Sequence, residues 1–146
     1  MCIRDRWYGP SDIGRSSVDG VGYEGARLMM EYRFTQGAPM TEEDALGQAA
    51  DMGFHSMAFD LVVDEDEPLH WHEFNAVTWV IDGTGAFRDA DGKVTKVSPG
   101  CRLDAPAGFL HSNLAGPPLR VVLATDLPGE QWSTPIDKDP ADLRAV

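Results

Sequence analysis

His70 and His72 stand one residue apart in "LHWHEFNAVTWVIDGTG", Leu69 to Gly85, where a valine- and tryptophan-rich run begins. On a strand, residues i and i+2 share a face, so both imidazoles project together while Trp71 points away. Two such rings, about 6.5 Å apart at their Cα atoms, can converge on one ion at metal–nitrogen distances of about 2.0 to 2.1 Å. Taken alone, the pair is a weak signal and also fits a half-buried strand end with two solvated histidines. A third histidine closes a second stretch, "GCRLDAPAGFLH", which runs Gly100, five residues, Pro106, one residue, Gly108, two residues, His111. Gly100 follows Pro99 and can supply the positive φ of a tight turn, and Pro106 and Gly108 bend the chain before His111.

The two stretches, with Gly83 after the first, resemble the paired motifs of the cupin superfamily. The resemblance covers roughly Ser56 to Asp126. It implies an all-β fold, a cupin-type double-stranded β-helix or jelly-roll barrel, in which His111 faces His70 and His72. It also implies a divalent metal on the three imidazoles, with open coordination positions. Iron(II) is the metal expected, with zinc, manganese, nickel and copper as alternatives that suit this donor set. The sequence departs from the family at one position. Counting seven residues back from Gly83, the glutamate of the first motif is replaced by Ala76, between Asn75 and Val77. Without that carboxylate the formal charge of the centre with M²⁺ is about +2, which favours an anionic or chelating substrate, as in three-histidine cupins that oxidise thiols, diketones or hydroxylated aromatic acids. Asn75 could lend an amide oxygen. Glu73 could swing in, although it shares the outward parity of Trp71. Phe109, two residues before His111, is a rim aromatic that can also line the pocket.

These residues need strands to position them. "HSMAFDLVVD", "PLHWHEF", "AVTWVID", "GAFRD", "KVTKVS", "CRLDAP" and "LRVVLATD" are short runs rich in β-branched and aromatic residues, separated by turn signals. "DADG", Asp89 to Gly92, reads as a hairpin turn. Several short strands at this spacing argue for a sandwich or barrel. Thr41 before Glu42, Glu43 and Asp44 marks a helix start with an acidic first turn, and the flanking helix is expected over Glu42 to Met52, ended by Gly53. Further upstream, "GARLMMEYRF", Gly25 to Phe34, reads as a strand, although Leu28, Met29 and Met30 also suit a helix. Trp7 to Glu24 reads as irregular chain or a short edge strand. The expected organisation is residues 7–54 as N-terminal strand and helix, 55–126 as barrel core, and 127–146 as an extended tail that covers an open edge or reaches a second subunit.

Other features read as structural. The acidic run "DEDE", Asp64 to Glu67, is a solvated loop that could screen the site mouth. His55 is a polar strand end. Gly83 to Gly85 form a turn with no helix behind it, unlike a phosphate loop. Trp79 and Phe87 are core aromatics, and Cys101 is a buried, inert thiol.

Composition narrows the partners. A 146-residue chain with 42% apolar residues forms one domain with a sizeable core. Its net charge is −12, and no lysine/arginine cluster offers to release counterions, so nucleic acid is not an expected partner. No apolar run reaches the roughly 18 to 20 residues that cross a bilayer, and no membrane partner is expected. Met1 to Arg6, "MCIRDR", match the translated end of a common sequencing adapter and are set aside as a scar. Removing their two arginines and one aspartate takes the charge from −12 to −13 and leaves Cys101 as the one cysteine. A lone thiol suits a reducing compartment, so the cytoplasm is expected; the scar leaves the native N-terminus open. Open sheet edges suggest a homodimer.

Two functions stand side by side at this point. One is a non-haem dioxygenase or related oxidoreductase acting on a small molecule. The other is a module that binds or senses a small ligand, with the metal structural or absent. No general base can be named from the sequence, and the fold hosts both classes.

Overall fold

The computed structural model describes residues 30–143 and the backbone of Trp7–Tyr8. The expectations for Met1 to Arg6, for most of the stretch up to Glu24, and for residues 25–29 lie outside the described residues. The strands are β1 (Trp7–Tyr8), β2 (Arg33–Gln36), β3 (His55–Val63), β4 (Ala76–Asp82), β5 (Gly85–Asp89), β6 (Val94–Val97), β7 (Cys101–Ala105), β8 (His111–Asn113) and β9 (Gly116–Thr125). A helix, α1 (Glu42–Asp51), precedes β3, and short 3-10 turns at Gly129–Gln131 and Pro140–Asp142 break the tail. All strand pairs are antiparallel. They form a six-stranded sheet of order β1-β3-β9-β4-β7-β2 and a three-stranded sheet of order β6-β5-β8, a jelly-roll type of barrel.

The six-stranded sheet is covered on both faces, which explains why β3 and β9 carry near-continuous apolar runs. Alternate residues of β3, β4 and β9 point into the barrel, among them Phe59, Ala76, Val80, Val121 and Leu123. The intervening ones, Ala58, Val77, Trp79, Val122 and Ala124, pack against Ala45 and Ala49 of α1. Ala45 and Ala49 lie four apart on one helix face, and their small side chains let the helix sit close to the sheet. Thr41 caps α1 by accepting from the Asp44 amide at 3.0 Å. Arg120 of β9 donates to Glu42 at 2.9 Å and so ties the helix start to the sheet.

The hairpin at residues 89–92 forms as expected. Asp89 Oδ1 accepts from the amides of Asp91 and Lys93, and Gly92 takes a φ of 86°. Gly100 has the positive φ its position predicts, 97°, and a side chain there would run into the Gly37 carbonyl oxygen. Two expected strands differ. Of the strand expected over Gly25 to Phe34, the described part shows Met30 to Tyr32 outside any strand and Arg33 and Phe34 in β2, which continues to Gln36 opposite Cys101 of β7. Met30 precedes the strand and packs toward the helix-side core. The run "PLHWHEF" is not a continuous strand either. It pairs only at His70 with His111 and at Trp71 with Lys138.

Candidate metal centre

Backbone pairing brings the two histidine segments together. His70 and His111 exchange both amide hydrogen bonds at 2.9 Å, which sets them directly opposite. The Gly108 amide donates to the His72 carbonyl at 3.0 Å and the Phe109 amide to Pro106 at 3.0 Å, so the turn of the second motif is bonded to the first. The ring centroids lie 5.1 Å apart for His70 and His72, 4.4 Å for His70 and His111, and 5.2 Å for His72 and His111.

Each ring is oriented by a backbone carbonyl. Nδ1 of His70 lies 2.8 Å from the Pro68 oxygen, Nδ1 of His72 3.0 Å from Ile136, and Nδ1 of His111 3.0 Å from Phe109. A carbonyl only accepts, so each Nδ1 carries the proton and each Nε2 presents a lone pair. Metal-binding histidines are held in this way. The ligating nitrogens of the three residues all lie within 4.8 Å of one another. Nitrogens on one ion at about 2.0 to 2.1 Å are at most about 4.2 Å apart, so closing on a metal asks for a shift of tenths of an ångström. Burial, with the neighbouring His70 and His72, lowers the His111 pKa to about 4. Burial also lowers that of His72. Both rings are therefore neutral near pH 7, as ligands must be.

The residues flanking the histidines have other tasks. Glu73 is turned outward, where its carboxylate accepts from the Ser133 amide and from Ser133 Oγ. That bond keeps it on the outward side whose parity it shares with Trp71. Asn75 is buried, donating to Asp126 at 2.8 Å and accepting from the Ala107 amide at 2.8 Å. Its amide oxygen therefore fastens the second motif rather than facing the histidines. Ala76 begins β4 in the middle of the sheet, between Ala105 and Thr125, and its methyl lines the barrel cavity. Phe109 lines the same cavity and stacks on His111 at 5.5 Å and on Tyr32 at 4.8 Å.

That cavity, about 120 Å³, opens beside His72 and His111. Its wall is mostly aliphatic and aromatic, including Phe59, Phe74, Phe87 and Leu103, with Thr78, Cys101 and Asn113 as further polar members. Burial raises the Cys101 thiol pKa, which fits the expected inertness.

Two acidic groups near the centre escape sequence reasoning. The DEDE run is not simply a solvated loop: Asp66 accepts from the Ala115 amide at 2.8 Å, and Glu67 accepts from the Asn113 amide and side chain. Asp137, in the tail, lies beside His70 and His72. Neither carries a motif signal: Glu67, three residues before His70, is placed by its bonds to Asn113, and Asp137 arrives through the tail, far from the histidines in sequence.

Two antiparallel sheets closed over an apolar interior, with three histidines from two segments at its mouth, are the arrangement that the resemblance to the cupin superfamily implies. Among solved structures the chain is similar to one of DMSP lyases, at 17% identity over 53% of this chain and 40% of that one, with a TM-score of 0.45. It is similar to a protein from Neisseria meningitidis at 17% identity over 71% of this chain and 95% of that one, TM-score 0.45. It is also similar to salicylate 1,2-dioxygenase from Pseudoaminobacter salicylatoxidans at 19% identity, TM-score 0.44, over 50% of this chain and 20% of that one. The chain thus spans less than half the length of the lyase and dioxygenase chains. No family model and no curated protein matches it. Among the described residues, no helix is long and apolar enough to cross a membrane.

Proposed function

We propose that the chain is a metal-dependent oxidoreductase that holds iron(II) on His70, His72 and His111 and acts with dioxygen on a small, mainly apolar molecule bearing an anionic or chelating head. The observation that carries this reading is the set of three histidines, each with Nδ1 held by a backbone carbonyl and with ligating nitrogens within 4.8 Å of one another, beside an apolar cavity. Engineered cavities of about 150 Å³ lined by aliphatic and aromatic side chains take up benzene, so a cavity of about 120 Å³ suits a body of about that size or smaller.

The residues divide the work. Backbone carbonyls of Pro68, Ile136 and Phe109 hold the imidazoles in their ligand tautomer. Phe74, Phe87 and Leu103 exclude water around the substrate body, and Phe109 orients His111 by stacking. Bound iron(II) would supply Lewis acidity toward the substrate head and redox chemistry toward dioxygen. Anaerobic metal loading followed by oxygen-uptake assays with thiols, diketones and phenolic acids tests the reading. Substrate-dependent uptake is expected.

A second reading, a binding or sensing module, is favoured by one feature. Among the described residues, the cavity wall holds no carboxylate or lysine to act as general base. Stoichiometric ligand binding without oxygen uptake would favour it over the enzyme. The proposal also includes a homodimer formed through sheet edges, where Val94 of edge strand β6 is exposed. Light scattering should then give twice the chain mass.

A further inference from the structure

The first motif lacks its carboxylate, yet a carboxylate stands at the site. Beyond β9 the chain turns back across the first histidine segment. Trp132 stacks on Phe74 at 4.5 Å, and Ser133 is gripped by Glu73. Trp71 exchanges backbone hydrogen bonds with Lys138, and its indole donates to the Asp139 carbonyl at 2.9 Å. Between these anchors, Ile136 offers its carbonyl to His72 and Asp137 follows it. Lys138 is turned away to Ser133 and Pro135.

Asp137 Oδ1 lies 3.8 Å from Nε2 of His70 and 3.6 Å from Nδ1 of His72. It is buried and has no hydrogen-bond partner among the described residues. A carboxylate oxygen taken out of water without a donor is costly unless something else neutralises it. Glu67 is the other candidate, since its Oε1 also lies 3.8 Å from Nε2 of His70. That oxygen, however, already accepts from the Asn113 amide at 3.2 Å and from its side chain at 2.9 Å. Donor atoms sharing one ion at about 2.0 to 2.2 Å lie up to about 4.2 Å apart; the 3.8 Å between Asp137 and His70 Nε2 falls inside that limit, whereas the approach to His72 is to Nδ1, so the Asp137 side chain must turn toward the Nε2 side to share the ion.

We propose that Asp137, carried back to the centre by the C-terminal segment, is the oxygen ligand that completes the three-histidine site in place of the missing motif carboxylate. The inference rests on the metal reading of His70, His72 and His111. It returns the formal charge of the centre with M²⁺ to about +1 and makes metal binding depend on the closing segment. Substrate would then enter from the cavity side, where Ala76 leaves room.

Cobalt(II) serves as the probe, because its visible absorption reports coordination without any assay of turnover. The full chain, Asp137→Asn, Glu67→Gln and His111→Ala are titrated anaerobically, with circular dichroism and thermal midpoints to confirm folding. Removing a group that only orients a ligand costs about 10–100-fold in affinity, so a true ligand should cost about 100-fold or more. Asp137→Asn should show that loss together with an altered cobalt spectrum, while Glu67→Gln keeps the wild-type spectrum. An unchanged cobalt spectrum in Asp137→Asn, whatever its affinity, overturns the inference while leaving the three-histidine centre standing. Should wild type bind no cobalt, the metal reading itself fails, and the inference with it.

Discussion

The two faces of the six-stranded sheet are built from the same strands to opposite ends. On the helix side, Ala45, Ala49, Ala58, Val77, Trp79, Val122 and Ala124 are all 3% exposed or less and form a packed layer. On the barrel side the apolar residues are buried as well, at 9% exposed or less, but they stop short of filling the space and leave a cavity with imidazoles at its mouth. Residues i and i+1 of one strand thus serve stability and binding separately. A close-packed layer resists change in volume, whereas a cavity wall tolerates it. The helix side can therefore hold the sheet rigid while the barrel side keeps room for a ligand.

The largest expected effect is on the packed face. Trp79 is 1% exposed, and the Arg102 guanidinium sits 5.4 Å from its ring centroid. Trp79→Ala should destabilise the fold by about 3–5 kcal/mol, read as a shift of the urea midpoint. Metal stoichiometry of the folded fraction should stay unchanged, because His72 and His111 border the cavity on the other face of the sheet. Loss of metal from folded Trp79→Ala would mean that the two faces are coupled.

Acid should separate the faces next. The native His111 pKa, about 4, lies below its ordinary 6.5, so between those values the unfolded chain takes up a proton that the folded chain refuses. Stability of the metal-free protein should thus fall as pH drops from about 6.5 to about 4, by up to about 3 kcal/mol from this residue. Below that range it contributes no further loss. Denaturation curves at stepped pH should show the slope in wild type and a shallower one in His111→Gln. Equal slopes in the two would contradict the buried neutral imidazole.

Small-to-large changes sharpen the contrast at lower energies. Ala49→Leu, in the packed layer, should cost about 1–3 kcal/mol. Ala105→Val, on the cavity wall, should cost under about 1 kcal/mol because the side chain has space to enter. Comparable losses in both, by thermal midpoint, would show that the barrel side is packed as tightly as the other.

The smallest effect expected is a gain. Ala76 lines the cavity that His72 and His111 border, so Ala76→Glu can bring a second carboxylate toward the centre. Cobalt affinity should rise by about tenfold, and further in an Asp137→Asn background where no other carboxylate ligand competes. An anionic chelating ligand should bind Ala76→Glu more weakly, since the added charge repels it. Tighter metal with tighter anionic ligand would contradict the assignment of Ala76 to the cavity side of the metal.

How much of this could be read in advance depended on distance along the chain. The turn at Gly100, the Asp89 hairpin and the Thr41 cap were legible because a few neighbouring residues decide them. The convergence of His70, His72 and His111 was legible through motif spacing. The end of "PLHWHEF" as a strand was misread, because its alternation says nothing about whether a neighbour is available along its whole length. That the Asn75 amide is used to tie loops together was not legible, because its partners Asp126 and Ala107 lie far from it in sequence.

The sequence by itself determined the β-rich pattern, the three imidazoles and the absence of a glutamate at position 76, because strand periodicity, turn chemistry and residue type are local properties. Tertiary structure alone decided which carboxylates stand near those imidazoles. Glu73, beside the histidines in sequence, is pulled outward by Ser133. Asp137, far from them in sequence, is brought to within 4 Å of His70 and His72 by the backbone pairing of Trp71 with Lys138. The side chain of an exposed turn goes where its hydrogen-bond partner is, and that partner is supplied by the path of the folded chain.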